Sequence, residues 1–499
     1  MAVIIPSICS AQSQWARIYS LGTARSVQQT ADSGYIVAGD LAIPGRRVDV
    51  GILKLDPEGI PEWQKAYGGS DDDQAHSIQE TFDFNGNPNG YIVAGNTGSF
   101  GYSNQAWLLR LDTDGAITWQ KTIGESSKPS KAYSVKQTED GGYIVAGSTR
   151  GNTAADVLIV KLTASGVIDW QKRINGRGSG ADRANSIQQT VDGGYIVTGV
   201  WINDDYWVLK LDSNGNVLWE KYFSGRVGSE AFSIIETLDQ TGTPNGYIVA
   251  GEADSNGPFG AGSQDFWVLK LDLNGDISWQ NLYGTTRSDS AQAIQQTFNR
   301  FGIPDGYIIA GRSDKSSLFL KLDLDGAIIW QRTLGDSGAN LANSIRLTSD
   351  GGYITAGMNR SLGPTSSDTI WVSKLDDMGQ ICRCAAMGDG NLNQAATSIS
   401  PYAARYTSDM PIISTEEPAY STTSTSGDQV DAEIVCVPRP PVLDPVDDKT
   451  AYVGELLEFT VIATDPDGDV LTYSASICRQ GQVLIPPHRH LAGHPPLIS

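Results

Sequence analysis

The sequence predicts an all-β fold: a seven-bladed β-propeller of four-stranded blades, followed by a linker and a partial β-sandwich. Three observations carry that reading. The string Gly-Tyr-Ile-(Val/Ile/Thr)-(Ala/Thr)-Gly recurs with its tyrosine at Tyr35, Tyr91, Tyr143, Tyr195, Tyr247, Tyr307 and Tyr353, a mean spacing of 53 residues. A tryptophan recurs in step at Trp15, Trp63, Trp119, Trp170, Trp219, Trp279 and Trp330, and a Leu-Lys-Leu-Asp segment returns at 53–56, 209–212 and 269–272. Self-similarity at such a period marks units that bury their apolar surface only against one another.

Each period divides into four short strands, and the fourth shows them most cleanly. The first, at 184–190, reads Ala-x-Ser-Ile-x-x-Thr. The second, at 194–199, is apolar at consecutive positions, as a strand covered on both faces must be. The third spans 206–212 and the fourth 217–222, joined by Asp-x-Asn-Gly; Asp-Gly-Gly joins the first two. Both junctions are turn signals that place glycine where φ must be positive. Four strands per unit and seven units fit a propeller better than a solenoid.

The phase of the repeats predicts how the ring closes. The first copy opens with a fourth strand around Trp15, and the last stops at its third strand, 371–376, with Gln-Ile-Cys-Arg-Cys where the tryptophan strand would stand. The N-terminal strand is therefore expected to complete the seventh blade.

Composition agrees and excludes several functions. The chain has 499 residues, 55 of them glycine, only 19% charged and a net charge of −21, a profile of many tight turns with no basic stripe for nucleic acid. Of four histidines, His488, His490 and His494 lie in the last twelve residues, so the body holds only His76, which argues against a histidine-rich metal site. As a general base His76 is outweighed by its place in a variable series described below. No apolar run approaches the roughly 20 residues of a membrane span. Residues 1–11, apolar and ending in small side chains, read as the remnant of a secretory signal. The 372 residues between Cys9 and Cys382 contain no cysteine, so disulfides do not hold the body; Cys436 with Cys382 or Cys384 is open as a staple beyond it.

The repeats as written, Asp-Gly-Gly-Tyr-Ile-Val-Ala-Gly followed by Trp-Val-Leu-Lys-Leu-Asp-x-Asn-Gly-x-Ile-x-Trp, resemble the propeller repeats of secreted bacterial and archaeal proteins. The Leu-Asp-x-x-Gly-x-x-x-Trp half is also similar to quinoprotein-type repeats. The resemblance spans residues 12–387 and implies the fold; function lives in sites, not scaffolds. Pyrroloquinoline quinone goes with eight blades and adjacent cysteines, neither of which is found, so no cofactor is expected in the propeller. Residues 388–440 form a Ser/Thr-rich linker, and 441–476 resemble the first half of a cadherin-like immunoglobulin domain, which implies calcium at Asp465, Asp467 and Asp469. Such a sandwich needs about 100 residues. The atypical tail at 477–499, without Asp or Glu, reads as foreign to that domain.

In a propeller the connections between blades share one face with those from second to third strand. Here those at 41–48, 96–105, 148–155, 252–264 and 358–367 vary in length and chemistry, whereas the opposite face is nearly uniform, apart from longer turns at 82–89, 238–245 and 298–305. The variable face is the expected binding surface. On the innermost strand, between an alanine and a serine that is alanine in one copy, stand Arg25, His76, Tyr133, Asn185, Phe232, Gln292 and Asn343. Seven such positions at one height ring the channel mouth as candidate ligand contacts, with inter-blade filling as the other reading. Asp-x-Asp-Gly at Asp112–Gly115 and Asp323–Gly326 is expected to be a hairpin turn rather than a calcium loop, because the downstream glutamate is missing.

The expected function is an exported, non-enzymatic, monomeric binding or adhesion protein whose partner is a glycan or a cell-surface protein. An extracellular lyase or hydrolase on the same scaffold and an outer-membrane assembly scaffold are the alternatives.

Overall fold

The computed structural model describes residues 14–381 apart from loop segments at 43–46, 102–103, 126–127, 152–153, 175–181, 202–204, 224–227, 256–262, 286, 335–339 and 361–367, and beyond 381 only strands of two to four residues. The expected signal remnant and Asp465, Asp467 and Asp469 lie outside the described residues. Four-stranded antiparallel sheets, each starting from an innermost strand, follow one another seven times. No described helix is long and apolar enough to cross a membrane, a statement that leaves β-barrels aside.

One strand, Trp15–Gln29, belongs to two blades. Its first part pairs with Thr369–Leu375, Trp15 opposite Lys374 and Ile18 opposite Trp371, and so supplies the missing outer strand of the seventh blade. Its second part pairs with Tyr35–Ala42 as the innermost strand of the first. The ring is thus closed by the N-terminal strand, and the polypeptide passes between these blades without an intervening loop.

Two of the three repeat markers meet in a single contact. The tryptophan on each outermost strand packs against the repeat tyrosine of the next blade, centroids 5.7–6.1 Å apart, in all seven pairs from Trp15–Tyr35 to Trp330–Tyr353. Such tilted and edge-on aromatic pairs contribute about 0.5–1.5 kcal/mol beyond the area they bury. The same indole covers the turn between third and fourth strands of that next blade. At Gly115, φ is +76°, and a Cβ would come within 3.0 Å of the Trp63 ring, so glycine is required twice over.

The lysine of Leu-Lys-Leu-Asp is buried and reaches the aspartate of its own Asp-Gly-Gly turn: Lys161 Nζ lies 2.7 Å from Asp140, Lys210 Nζ 2.9 Å from Asp192 and Lys374 Nζ 2.8 Å from Asp350. These aspartates are counter-ions of buried ammonium groups. The other turn aspartates cap hairpins. Asp112 Oδ1 accepts from the Asp114 and Ala116 amides, and Asp323 Oδ1 from those of Asp325 and Ala327, which is the turn geometry expected.

Facing the channel, two side-chain latches join neighbouring blades. A serine hydroxyl accepts from a backbone amide of the next blade at 3.3–3.4 Å: Ser26 to Ile78, Ser77 to Val135, Ser134 to Ile187, Ser186 to Ile234, Ser233 to Ile294 and Ser344 to Val27. Three residues further on, a Gln or Glu reaches back to an amide of the preceding blade's first turn at 2.8–2.9 Å, as Gln137 does to Phe82 and Gln29 to Ser349. Both latches are missing at one junction. Between the sixth and seventh blades the serine is Ala293 and the returning residue is Leu347, neither of which can accept a hydrogen bond. Ala293, Phe319, Ile345 and Trp371 pack there instead.

Candidate functional site

On every innermost strand the register slips by one residue, between Ala24 and Ser26 and at the equivalent place in the other six. The extra residue is in each case the variable one: Arg25, His76, Tyr133, Asn185, Phe232, Gln292 or Asn343. A bulge leaves its residue out of the ladder and re-aims its side chain. The glycine that ends each Ala-Gly pair on the second strand, Thr198-Gly199 in the fourth blade, sits opposite the bulge, and at Gly95 a Cβ would overlap the Gln74 carbonyl. Invariant glycine and variable neighbour are two halves of one device.

All seven side chains are half-buried, and they are used differently. Asn185 Nδ2 donates to the Ala231 carbonyl at 2.8 Å and Asn343 Nδ2 to the Ala24 carbonyl at 2.7 Å, so these two tie blade to blade. Arg25 forms a forked ion pair with Asp40, Nη2 to Oδ2 at 2.6 Å. His76 Nε2 lies 2.8 Å from Asn96 Oδ1, and its ring stands 5.1 Å from that of Tyr133. Gln292 donates to Ser290 Oγ at 2.7 Å. Phe232 presents an aromatic face without a polar partner of its own.

Packing around the imidazole, with the Arg25 guanidinium nearby, pulls the His76 pKa down to about 3. It stays neutral at physiological pH and accepts a proton poorly, so it is unsuited to general-base work. Burial raises the Tyr133 phenol.

Two further rows belong to this mouth and were not singled out in the sequence. Two positions before the bulge stand Gln74, Lys131, Arg183 and Glu230 in four of the seven copies; after the second-strand glycine stand Asp40, Asn96, Glu252 and Arg312 in four. They vary between copies as much as the bulge residues do, and that signal was available. The fifth blade concentrates them: Glu230 and Glu252 are register partners on adjacent strands. Arg183 pairs with Glu230, and Asn185 Nδ2 donates to the same oxygen at 2.9 Å. Burial raises the Glu252 carboxyl, which Ser290 and Gln264 hydrogen-bond.

The channel has a second chemistry toward the uniform face. There a cavity of about 540 Å³ is lined by Gln79, Lys136, Gln188, Gln295 and Arg346, with turn residues such as Glu139 and Val191 at its rim. The variable face was the expected binding surface, yet this cavity opens at the opposite end.

No protein-family model matches the chain, and no curated protein matches it. Among solved structures, a protein of unknown function from Bacteroides caccae is similar at 15% identity, with a TM-score of 0.37, over 58% of this chain and 91% of that one. Sqt1 from Chaetomium thermophilum is similar at 12% identity, with a TM-score of 0.40, over 70% of this chain and 85% of that one. Likenesses this loose say nothing about function.

Proposed function

We propose that the protein is an exported, non-enzymatic binding or adhesion protein that holds a glycan or a surface protein at the variable mouth of its propeller. One observation carries this reading: variation between copies concentrates at the bulge and its flanking rows, on a frame whose tryptophan, tyrosine and glycine positions do not change. Arginine, tyrosine, phenylalanine and amide side chains around one opening are the groups that recognise sugars and protein surfaces. A glycan array read alongside a product assay tests it. Binding without released sugar is expected, weakened at least tenfold by Tyr133→Ala and Phe232→Ala with melting temperature held; released sugar overturns the non-enzymatic reading.

Export rests on the apolar residues 1–11 and is checked by looking for processed protein outside the producing cell. Calcium at Asp465, Asp467 and Asp469 is proposed from the cadherin-like stretch alone and is checked by calcium titration of wild type against Asp467→Ala.

A second reading, a glycoside hydrolase, is favoured by the Glu230–Glu252 pair. Two carboxyl groups in unlike surroundings, one ion-paired and one with its pKa raised by burial, are what an acid and its charged companion need. Under that reading Glu252→Gln abolishes sugar release and leaves binding intact.

A further inference from the structure

The wall of the lower channel presents an unusual excess of hydrogen-bond donors. Two residues after each latching serine position, the innermost strands carry Gln28, Gln79, Lys136, Gln188, Ile235, Gln295 and Arg346. In three of the four glutamines the carbonyl is used by the protein, whereas Gln295 instead donates its Nε2 to the Ile294 carbonyl at 2.7 Å. Gln28 Oε1 accepts from the Glu80 amide at 3.1 Å, Gln79 Oε1 from the Gln137 amide at 2.9 Å and Gln188 Oε1 from the Glu236 amide at 3.3 Å. With the oxygen held against the next blade, the NH2 groups of Gln79 and Gln188, both on the cavity wall, make no hydrogen bond among the described residues. A primary amide pinned by its carbonyl is a pure donor.

Lys136 and Arg346 occupy the same latch position and have no carbonyl to offer. Arg346 Nη1 donates to the Ile345 carbonyl at 2.8 Å, which leaves the rest of its fork, and Lys136 has no hydrogen-bond or acidic partner among the described residues. The two acids on the cavity wall do not serve as counter-ions. Glu139 is exposed at the rim, and Glu236 accepts from the Val191 amide at 2.8 Å.

We infer that the lower channel is a binding site for a small oxyanion, a carboxylate or a phosphate, held between the Lys136 ammonium and the Arg346 guanidinium and capped by the amide groups of Gln79 and Gln188. Two cations without an acidic partner and two carbonyl-pinned amides line one cavity, and an oxyanion supplies acceptors for all four. Burial, with Arg346 nearby, pulls the Lys136 pKa down to about 7, as expected of two like charges sharing a site without a counter-ion. The site lies at the other end of the channel from the variable mouth, so it stands or falls separately from the function proposed above.

The test uses the full chain, with inorganic phosphate and acetate as probes in isothermal titration calorimetry. The variants are Lys136→Gln and Arg346→Gln, which install the residue other blades carry at this position and so preserve the fold. Saturable binding at one site per chain is expected for at least one probe, weakened tenfold or more in the double variant while its melting temperature is kept or raised. Saturation by phosphate only, or by acetate only, supports the site and decides between the two ligand classes. Absence of saturable binding by either probe, or equal binding by wild type and double variant, overturns the inference.

Discussion

The indole of Trp15 stands 5.7 Å from the phenol ring of Tyr35, edge-on, although the two side chains belong to the seventh and first blades. Trp15 Nε1 also donates to the Pro57 carbonyl at 3.2 Å, and the Tyr19 hydroxyl to the Gly59 carbonyl at 2.7 Å. The strand that closes the ring is therefore held by its ladder, by ring packing and by polar bonds. Truncating a buried aromatic costs about 3–5 kcal/mol. Trp15→Ala is expected to lower the melting temperature clearly and deletion of residues 12–20 to lower it further, as read by calorimetry. An unchanged melting point in the deletion would show that the ring does not depend on this strand.

The junction between the sixth and seventh blades lacks both channel latches, and restoring them should stabilise the protein. A net hydrogen bond contributes about 1 kcal/mol. Ala293→Ser and Leu347→Gln are each expected to raise the denaturation midpoint, and Ser233→Ala to lower it by a similar amount. If Ala293→Ser is neutral while Ser233→Ala is costly, the sixth junction is apolar by requirement rather than by omission.

Buried lysines should respond unequally to loss of either partner. Lys161 keeps only 5% of its side chain exposed beside Asp140, which is 62% exposed. Asp140→Ala strands an ammonium group and is expected to cost about 1–3 kcal/mol, whereas Lys161→Met removes the charge along with its need and is expected to be near neutral. Urea denaturation of the two variants measures the difference; equal costs would refute it.

Acid should weaken the fold partly through His76. Its folded pKa of about 3 lies below the ordinary value of 6.5, so between those limits the unfolded chain binds a proton that the folded one does not. Stability from this group is present above pH 6.5 and is lost as pH falls toward 3. Asp32, Asp140 and Asp192, whose pKa values lie below 3.8, give way only under stronger acid. His76→Gln is therefore expected to flatten the stability profile between pH 6 and 4 relative to wild type. Parallel profiles would show that the imidazole titrates normally.

The architecture was legible in the sequence because one contact repeats seven times. Trp63, Tyr91 and Gly115 are far apart in the chain and fall together only when one blade packs on the next, so their common period predicts both strand and neighbour. The closure by Trp15 was legible for the same reason, as a tryptophan without a first copy to belong to. The bulge was encoded too, in Ala-x-Ser opposite Ala-Gly, but its meaning depends on a register slip that spacing alone does not reveal. What escaped is the chemistry between strands. Glu230 and Glu252 are 22 positions apart and become partners only through pairing, and Lys136 and Arg346, 210 positions apart, share a cavity only because the ring closes.

Six junctions carrying two latches and one carrying neither make a ring with one joint that relies on apolar packing in the channel wall. Under mild destabilisation this joint is expected to loosen before the other six, and it borders the blade that bears Arg346. Tightening the sixth junction is then also expected to change how readily the lower channel fills and empties.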